Sequence, residues 1–287
     1  MIATMKKRKN PNSRLKKGDT VSGVLQPSAA NRILYQRRLV QEIDAMHQSV
    51  TYWIKAQYKE SEPRIALDES PAEAFKRLIA SLRKRWENRF GDQSKRITEQ
   101  FIYGVVKHNE NAFRGVLKKE NLEFRFRPTQ HLKDVMQAAT AENVGLIKSI
   151  PSQYFDQINN LVMNAVLKGS NLNELSSDLT RRYQITRKRA EFIARDQNAK
   201  LFSVINRTRC QEVGIKEGIW NHSPRHENAR PSHLKADGKR FDLAKGMHLD
   251  GNWTWPGQEI NCHCTLRPVI PVNNNAARIN DKRITGP

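Results

Sequence analysis

Long apolar runs are missing: none approaches the ~18–20 residues that a membrane-spanning helix needs, so no membrane association is expected. Cysteine is scarce and odd in number, with Cys210, Cys262 and Cys264 the full set. That argues against a disulfide scaffold and for a reducing compartment. Cys262 and Cys264 stand two apart and would bridge each other only with strain. The start of the chain, Met1 to Met5 followed by Lys6-Lys7-Arg8-Lys9, has no apolar stretch after the charges. No signal peptide is read there, and synthesis in the cytoplasm is expected. Acidic residues are outnumbered, 29 against 50 Lys+Arg, for a formal net charge of +21. Such a surplus repels itself in the free protein and implies an anionic partner, most often nucleic acid.

Catalytic signatures are missing too. There is no P-loop, no G-x-S-x-G and no H-E-x-x-H. A zinc deaminase needs H-x-E and P-C-x-x-C. His226-Glu227 lacks the intervening residue and no Pro-Cys pair exists, so a non-enzyme is expected.

What is present argues for a folded chain: 38% hydrophobic residues, five tryptophans, and 287 residues, enough for one large or two modest domains. Residues 1–28 carry Lys6, Lys7, Arg8, Lys9, Arg14, Lys16 and Lys17 against a lone Asp19 and read as a flexible basic arm. The arm is either an inert start or a phosphate-binding tail.

From Asn31 the pattern is helical. Leu39, Ile43, Met46, Val50 and Trp53 make one stripe. Ser61-Glu62-Pro63 breaks it, and Ser70-Pro71 opens a helix cored by Phe75, Leu78, Ile79, Leu82, Trp86 and Phe90. The other side of that helix gathers Lys76, Arg77, Arg83, Lys84, Arg85 and Arg89. These are either a solvated face or a surface for DNA phosphates. Further helices are expected from Ser94 to Lys119, from His131 to Lys148, and after a break at Ser149-Ile150-Pro151. Gly169 reads as a C-cap, Asn171 with Glu174 as a capping box, and Thr186 to Val213 as the last long helix. That helix's stripe is interrupted by Arg195, Asp196, Gln197 and Asn198, which need partners and point to the C-terminal region.

After Gly214 the period changes. Gly218 to Asn221 reads as a strand, Asp237-Gly238 as a hairpin turn, Asp250-Gly251 and Pro256-Gly257 as two more turns, and Leu266 to Val269 as a closing strand. The fold class is therefore mainly α: a long-helix body with a small α+β C-terminal module.

Along the second half run Ala190-Glu191-Phe192-Ile193-Ala194-Arg195, Gly214-Ile215, Trp220, Arg230-Pro231-Ser232-His233, Asp237-Gly238, Phe241, Pro256-Gly257 and Asn261-Cys262-His263-Cys264. Taken in that order, they resemble the phage head morphogenesis domain of the Mu protein F type, also called the SPP1 gene 7 type. Asn143 to Pro151 and Gly169-Ser170 resemble the helical part of the same family. One departure is His263, where the family usually has Arg. Together with the composition and periodicity above, the chain is expected to divide into the basic arm (1–28), a helical body (29–148), a head morphogenesis domain (149–271, with the β module at 215–271) and a loose tail (272–287). The resemblance marks Arg195, Trp220, Arg230, His233, Asp237, Gly238, Pro256, Gly257, Cys262 and Cys264 as defining the module.

The resemblance implies a minor head protein of a tailed phage or prophage, located in the head interior near the portal. Its implied partners are the portal protein, a major capsid or scaffold protein, and double-stranded DNA. A module this small also needs a neighbour, a metal or a crosslink. One reading is a structural zinc on Cys262, Cys264 and His233 with His226 or His263 as fourth ligand. The other is that these side chains satisfy one another without metal. Two rival functions remain open on the residues alone: a metal-dependent nuclease using His226 and His233, and a DNA-binding regulator, for which no helix-turn-helix stands out.

Overall fold

The computed structural model describes residues 19–60, 70–119, 129–223 and 229–271. Four long helices dominate: α1 (Ala29–Glu60), α2 (Pro71–Lys119), α3 (Gln130–Lys168) and α4 (Leu172–Glu212). Their ends carry the expected caps. Ser70 Oγ accepts from the Glu73 N–H, with Pro71 in the first turn where its missing N–H costs nothing. Asn171 Oδ1 accepts from the N–H groups of Asn173 and Glu174, both at 3.0 Å. Gly169 sits at φ 63°, and the Ser170 N–H reaches back to the Ala165 carbonyl in a Schellman closure. Gly214 at φ 78° ends α4 in the same way, through Ile215 N–H to the Cys210 carbonyl.

Several expected breaks are absent. The two helices expected either side of Gly91 are one, α2, and the helices around Asn171 to Val213 are one, α4. Ser149-Ile150-Pro151 does not punctuate; α3 runs through it. An interior proline costs about 3 kcal/mol, mainly for the hydrogen bond it cannot donate. Ile147, Ile150, Tyr154 and Phe155 flank that position and are all buried, and each contributes roughly 1.5–3 kcal/mol. Burial wins. The Ser149 hydroxyl donates to the Leu146 carbonyl at 2.7 Å, and Ser94 does the same to Gly91.

The chain divides into two units. One comprises residues 29–102 and 137–195. Leu39, Ile43, Met46, Val50, Ile54, Phe75, Ile79, Leu82, Trp86 and Phe90 are in its core. The α1 stripe ends on Ile54 rather than on Trp53, which is 45% exposed. Inside this unit the Tyr35 hydroxyl donates to Asn143 Oδ1 at 2.9 Å while its ring stacks on Phe101.

The other unit comprises residues 1–28, 103–136 and 196–287, of which only the described ones are discussed. Val105, Phe113, Leu117, Leu201, Phe202, Ile205 and Cys210 line its helical core. Arg209 is 1% exposed and held by Glu110 and Glu212, so its charge is paired inside.

A four-stranded antiparallel sheet completes this unit, in the order β1 (Thr20–Val21), β6 (Thr265–Ile270), β2 (Glu217–Asn221), β3 (Arg240–Asp242). Beside it lies a hairpin of β4 (Met247–Leu249) and β5 (Asn252–Thr254). Two expectations are corrected here. The last residues of the supposed arm are structured, since Thr20 pairs with Ile270 and Val21 with Val269. A strand reading failed there because two paired residues leave no alternation to detect. Asp237-Gly238 is not a hairpin loop: it closes a short helix, α5 (Pro231–Ala236). Asp237 has φ −53° and ψ 129°, Gly238 has φ 75°, and Lys239 N–H returns to the Ala236 carbonyl, a type II turn. The true Asp-Gly hairpin is Asp250-Gly251, with both residues at positive φ between β4 and β5.

Gly246 separates two kinds of glycine requirement. A Cβ there would lie 2.7 Å from the Thr254 carbonyl and 3.0 Å from the Trp255 ring, and its φ is 82°. Gly238 also has positive φ but nothing within 4 Å of its missing Cβ. Gly238→Ala should cost about 1–2 kcal/mol for conformation alone, and Gly246→Ala roughly 3 or more because backbone must shift. Urea unfolding of the two variants checks this. Equal losses would show that the close approach of β5 is not what requires glycine.

Candidate metal centre

Strand β2 delivers Trp220, fully buried and paired with Leu266 of β6, to the middle of the β module. The indole meets His233 of α5 edge-on at 5.1 Å and Phe241 at 6.1 Å. Arg230 caps the start of α5 with extended backbone, Pro231 follows in the first turn, and Arg230 Nη2 donates to the Ile260 carbonyl. Asp237 Oδ1 accepts from the His222 N–H at 2.8 Å, and Gly238 N–H donates to the Trp220 carbonyl. These bonds hold the end of β2 against α5.

The cysteine loop is pinned from another side. Pro256-Gly257 forms a turn, with Gln258 N–H returning to the Trp255 carbonyl and Gly257 at φ 82°. Helix α4 packs there so closely that a Cβ on Gly257 would lie 3.0 Å from Ser203 Cβ. The Ser203 hydroxyl donates to the Pro256 carbonyl, and the Arg207 guanidinium stacks 3.9 Å from the Trp255 ring centre. Asn261 takes φ 59°, and its N–H donates to Asp196 Oδ1 at 2.6 Å. Asp196 is thus the member of the polar cluster that meets the C-terminal region. Asn198 donates instead to the Ser28 carbonyl, and Arg195 lies over the Phe192 ring.

His233, Cys262 and Cys264 converge as a result. All three are buried, and their donor atoms lie within 4.8 Å of one another. Cys262 Sγ is 3.4 Å and Cys264 Sγ 3.7 Å from His233 Nδ1. Every cysteine is free. Cys262 is held well below the ordinary thiol range, at about 4, by the hydrogen bond from the Cys264 thiol and, less, by His233, against the opposing effect of burial. The same pairing drives Cys264 up. A buried set of two sulfurs and an imidazole could hold a metal ion, and its softness suits zinc. His263, between the cysteines, is outside this cluster. His226, the other suggested ligand, lies outside the described residues.

Cys210 is a core filler, fully buried, with its thiol pushed up by desolvation. Sequence reasoning passed over His222, whose Nδ1 is 3.7 Å from Cys264 Sγ. The signal was available: His222 directly follows the expected strand that ends at Asn221.

Of the cations considered for DNA, Lys6, Lys7, Arg8, Lys9, Arg14, Lys16 and Lys17 lie outside the described residues. The other six lie on α2. Lys76, Arg77, Lys84 and Arg85 are exposed, and Lys76 is 3.8 Å from Glu73. Arg83 is engaged by Glu87, Asp156 and Ser152, and Arg89 by Glu42 at 2.7 Å and the Trp86 ring.

Long helices with a small sheet module built around buried thiols and an imidazole define the class: a mainly α chain with a candidate structural metal centre. Residues 156–267 match the family described as Phage Mu protein F like protein, which supports the family resemblance of that segment. An uncharacterized protein of Haemophilus influenzae is 33% identical over 206 residues, covering 71% of this chain and 45% of that protein. The chain therefore spans less than half the length of this relative. No solved structure matches.

The contact between Asp196 and Asn261 should govern how well the cysteine loop is held. Asp196→Ala leaves the Asn261 N–H without its acceptor, an expected loss of about 1–3 kcal/mol. Cys262 should then react faster with a thiol reagent, while Cys210 stays protected. Unchanged Cys262 labelling in a destabilised variant would place the anchor elsewhere.

Proposed function

We propose that this chain is a minor head protein of a tailed phage or prophage. In this reading it acts during head assembly at the portal and prohead interior, contacts the major capsid or scaffold protein, and holds packaged DNA through phosphates without reading sequence. The observation that carries the proposal is the family match over residues 156–267. It covers the segment in which His233, Cys262 and Cys264 converge beside Trp220. A role without catalysis is part of the proposal. Buried thiolate and imidazole donors are the kind that hold a closed structural zinc, whereas a catalytic site keeps a position open for water. Among the described residues no helix is long and apolar enough to cross a membrane.

DNA contact is supported by the net charge of +21 and by exposed cations on α2. Lys84 and Arg85 are the best placed, since Arg83 and Arg89 already serve carboxylates within the fold. Phosphate contacts reveal themselves through salt, each steepening the slope of log K against log salt by about 0.9.

Two measurements test the proposal. Mass spectrometry of purified heads should find the chain, and affinity purification should recover it with the portal protein; a chain absent from heads sinks the assignment. Separately, the double variant Lys84→Glu and Arg85→Glu should weaken binding to DNA of any sequence and flatten the salt slope by about 2. An unchanged slope would remove α2 from the DNA surface.

A further inference from the structure

Two sulfurs converge on one imidazole nitrogen, since both Cys262 and Cys264 lie within 3.7 Å of His233 Nδ1. A ring nitrogen makes one ordinary hydrogen bond, as donor or as acceptor, so hydrogen bonding does not account for both contacts. A shared metal ion does. Donors on a tetrahedral zinc, with Zn–S near 2.3 Å and Zn–N near 2.0–2.1 Å, sit about 3.6 Å from one another. The observed sulfur–nitrogen separations are 3.4 and 3.7 Å.

Three buried donors leave one tetrahedral position. On the Cys264 side stands His222, half-buried, with Nδ1 3.7 Å from that sulfur. Its backbone is fixed by the N–H bond to Asp237 at the end of β2. The ring stands outside the tight cluster of three, so closing the tetrahedron takes a swing of this side chain toward His233 and Cys262. The partial exposure of His222 gives an ion a way in.

We propose that His222, His233, Cys262 and Cys264 form a Cys2His2 structural zinc site in which His222 supplies the fourth ligand. Both cysteines enter as thiolates, their protons passing to solvent as zinc binds. The ion then ties together the end of β2, the helix α5 and the loop leading into β6. It does so where short elements bury too little to hold themselves. This inference stands independently of the head-assembly reading, because it concerns the isolated chain.

Elemental analysis of the full-length chain, purified without chelator, should find about one zinc per chain. Replacement by cobalt should give the intense visible absorption of a four-coordinate thiolate site. His222→Ala should lose metal to a competing chelator with an affinity lowered by roughly tenfold or more. His222→Cys should restore tight binding and strengthen the sulfur-to-metal absorption. His226→Ala should leave both unchanged. If His222→Ala fails to fold by circular dichroism, the cysteine replacement carries the test, because only a true ligand position gains a thiolate–metal band. A folded native chain that binds neither zinc nor cobalt overturns the site. Loss of affinity in His226→Ala with none in His222→Ala overturns the assignment of the fourth ligand.

Discussion

Strands of two to six residues and a six-residue helix bury too little apolar surface to hold a shape alone, and everything in the C-terminal region follows from how that deficit is met. Helix α4 meets part of it. From Asp196 onward it presents Asp196 to the Asn261 N–H, Ser203 to the Pro256 carbonyl and Arg207 to the Trp255 ring. Trp220 meets another part by filling the space between the sheet and α5. Closure of the cysteine loop on His233 supplies the rest. Each contact is modest, but they converge on one loop, so losing any of them loosens the others.

The same economy explains Gly246, Gly257 and the positive φ of Asn261. Gly246 and Gly257 are needed because backbone or α4 approaches where a Cβ would sit. Asn261 takes the left-handed conformation just before Cys262, directing the chain so that Cys262 and Cys264 both reach His233. The C-x-C spacing, tight for a metal knuckle, becomes workable because the turn sits before the pair instead of between its members.

Charge follows a different logic. The surplus of 21 positive charges is not uniformly available to a partner. Arg209 is spent inside on Glu110 and Glu212, and Arg83 and Arg89 are tied to carboxylates. A run of cations along a helix therefore overstates the surface offered to DNA, and neighbouring acids decide which of them remain. Several of those acids lie far off in sequence, as Asp156 does from Arg83 and Glu42 from Arg89, so that part of the distinction is invisible in a linear reading.

The sequence by itself determined the long amphipathic helices, their caps at Ser70, Gly169 and Asn171, the change of period after Gly214 and the ordered motif set of the family. All of these are local signals: spacing, a capping oxygen, a residue free to take positive φ. Tertiary structure alone decided that α2 and α3 run unbroken through Gly91 and Pro151, and that α4 is continuous ahead of Thr186, because buried side chains on both flanks outweigh weak local formers. It decided that Thr20-Val21 joins the sheet, since partners as distant as Ile270 and Val269 leave no trace in a two-residue strand. It also decided which histidine faces the cysteines from the strand side. The sequence offered His226 or His263, but the end of β2, fixed by Asp237, puts His222 beside Cys264.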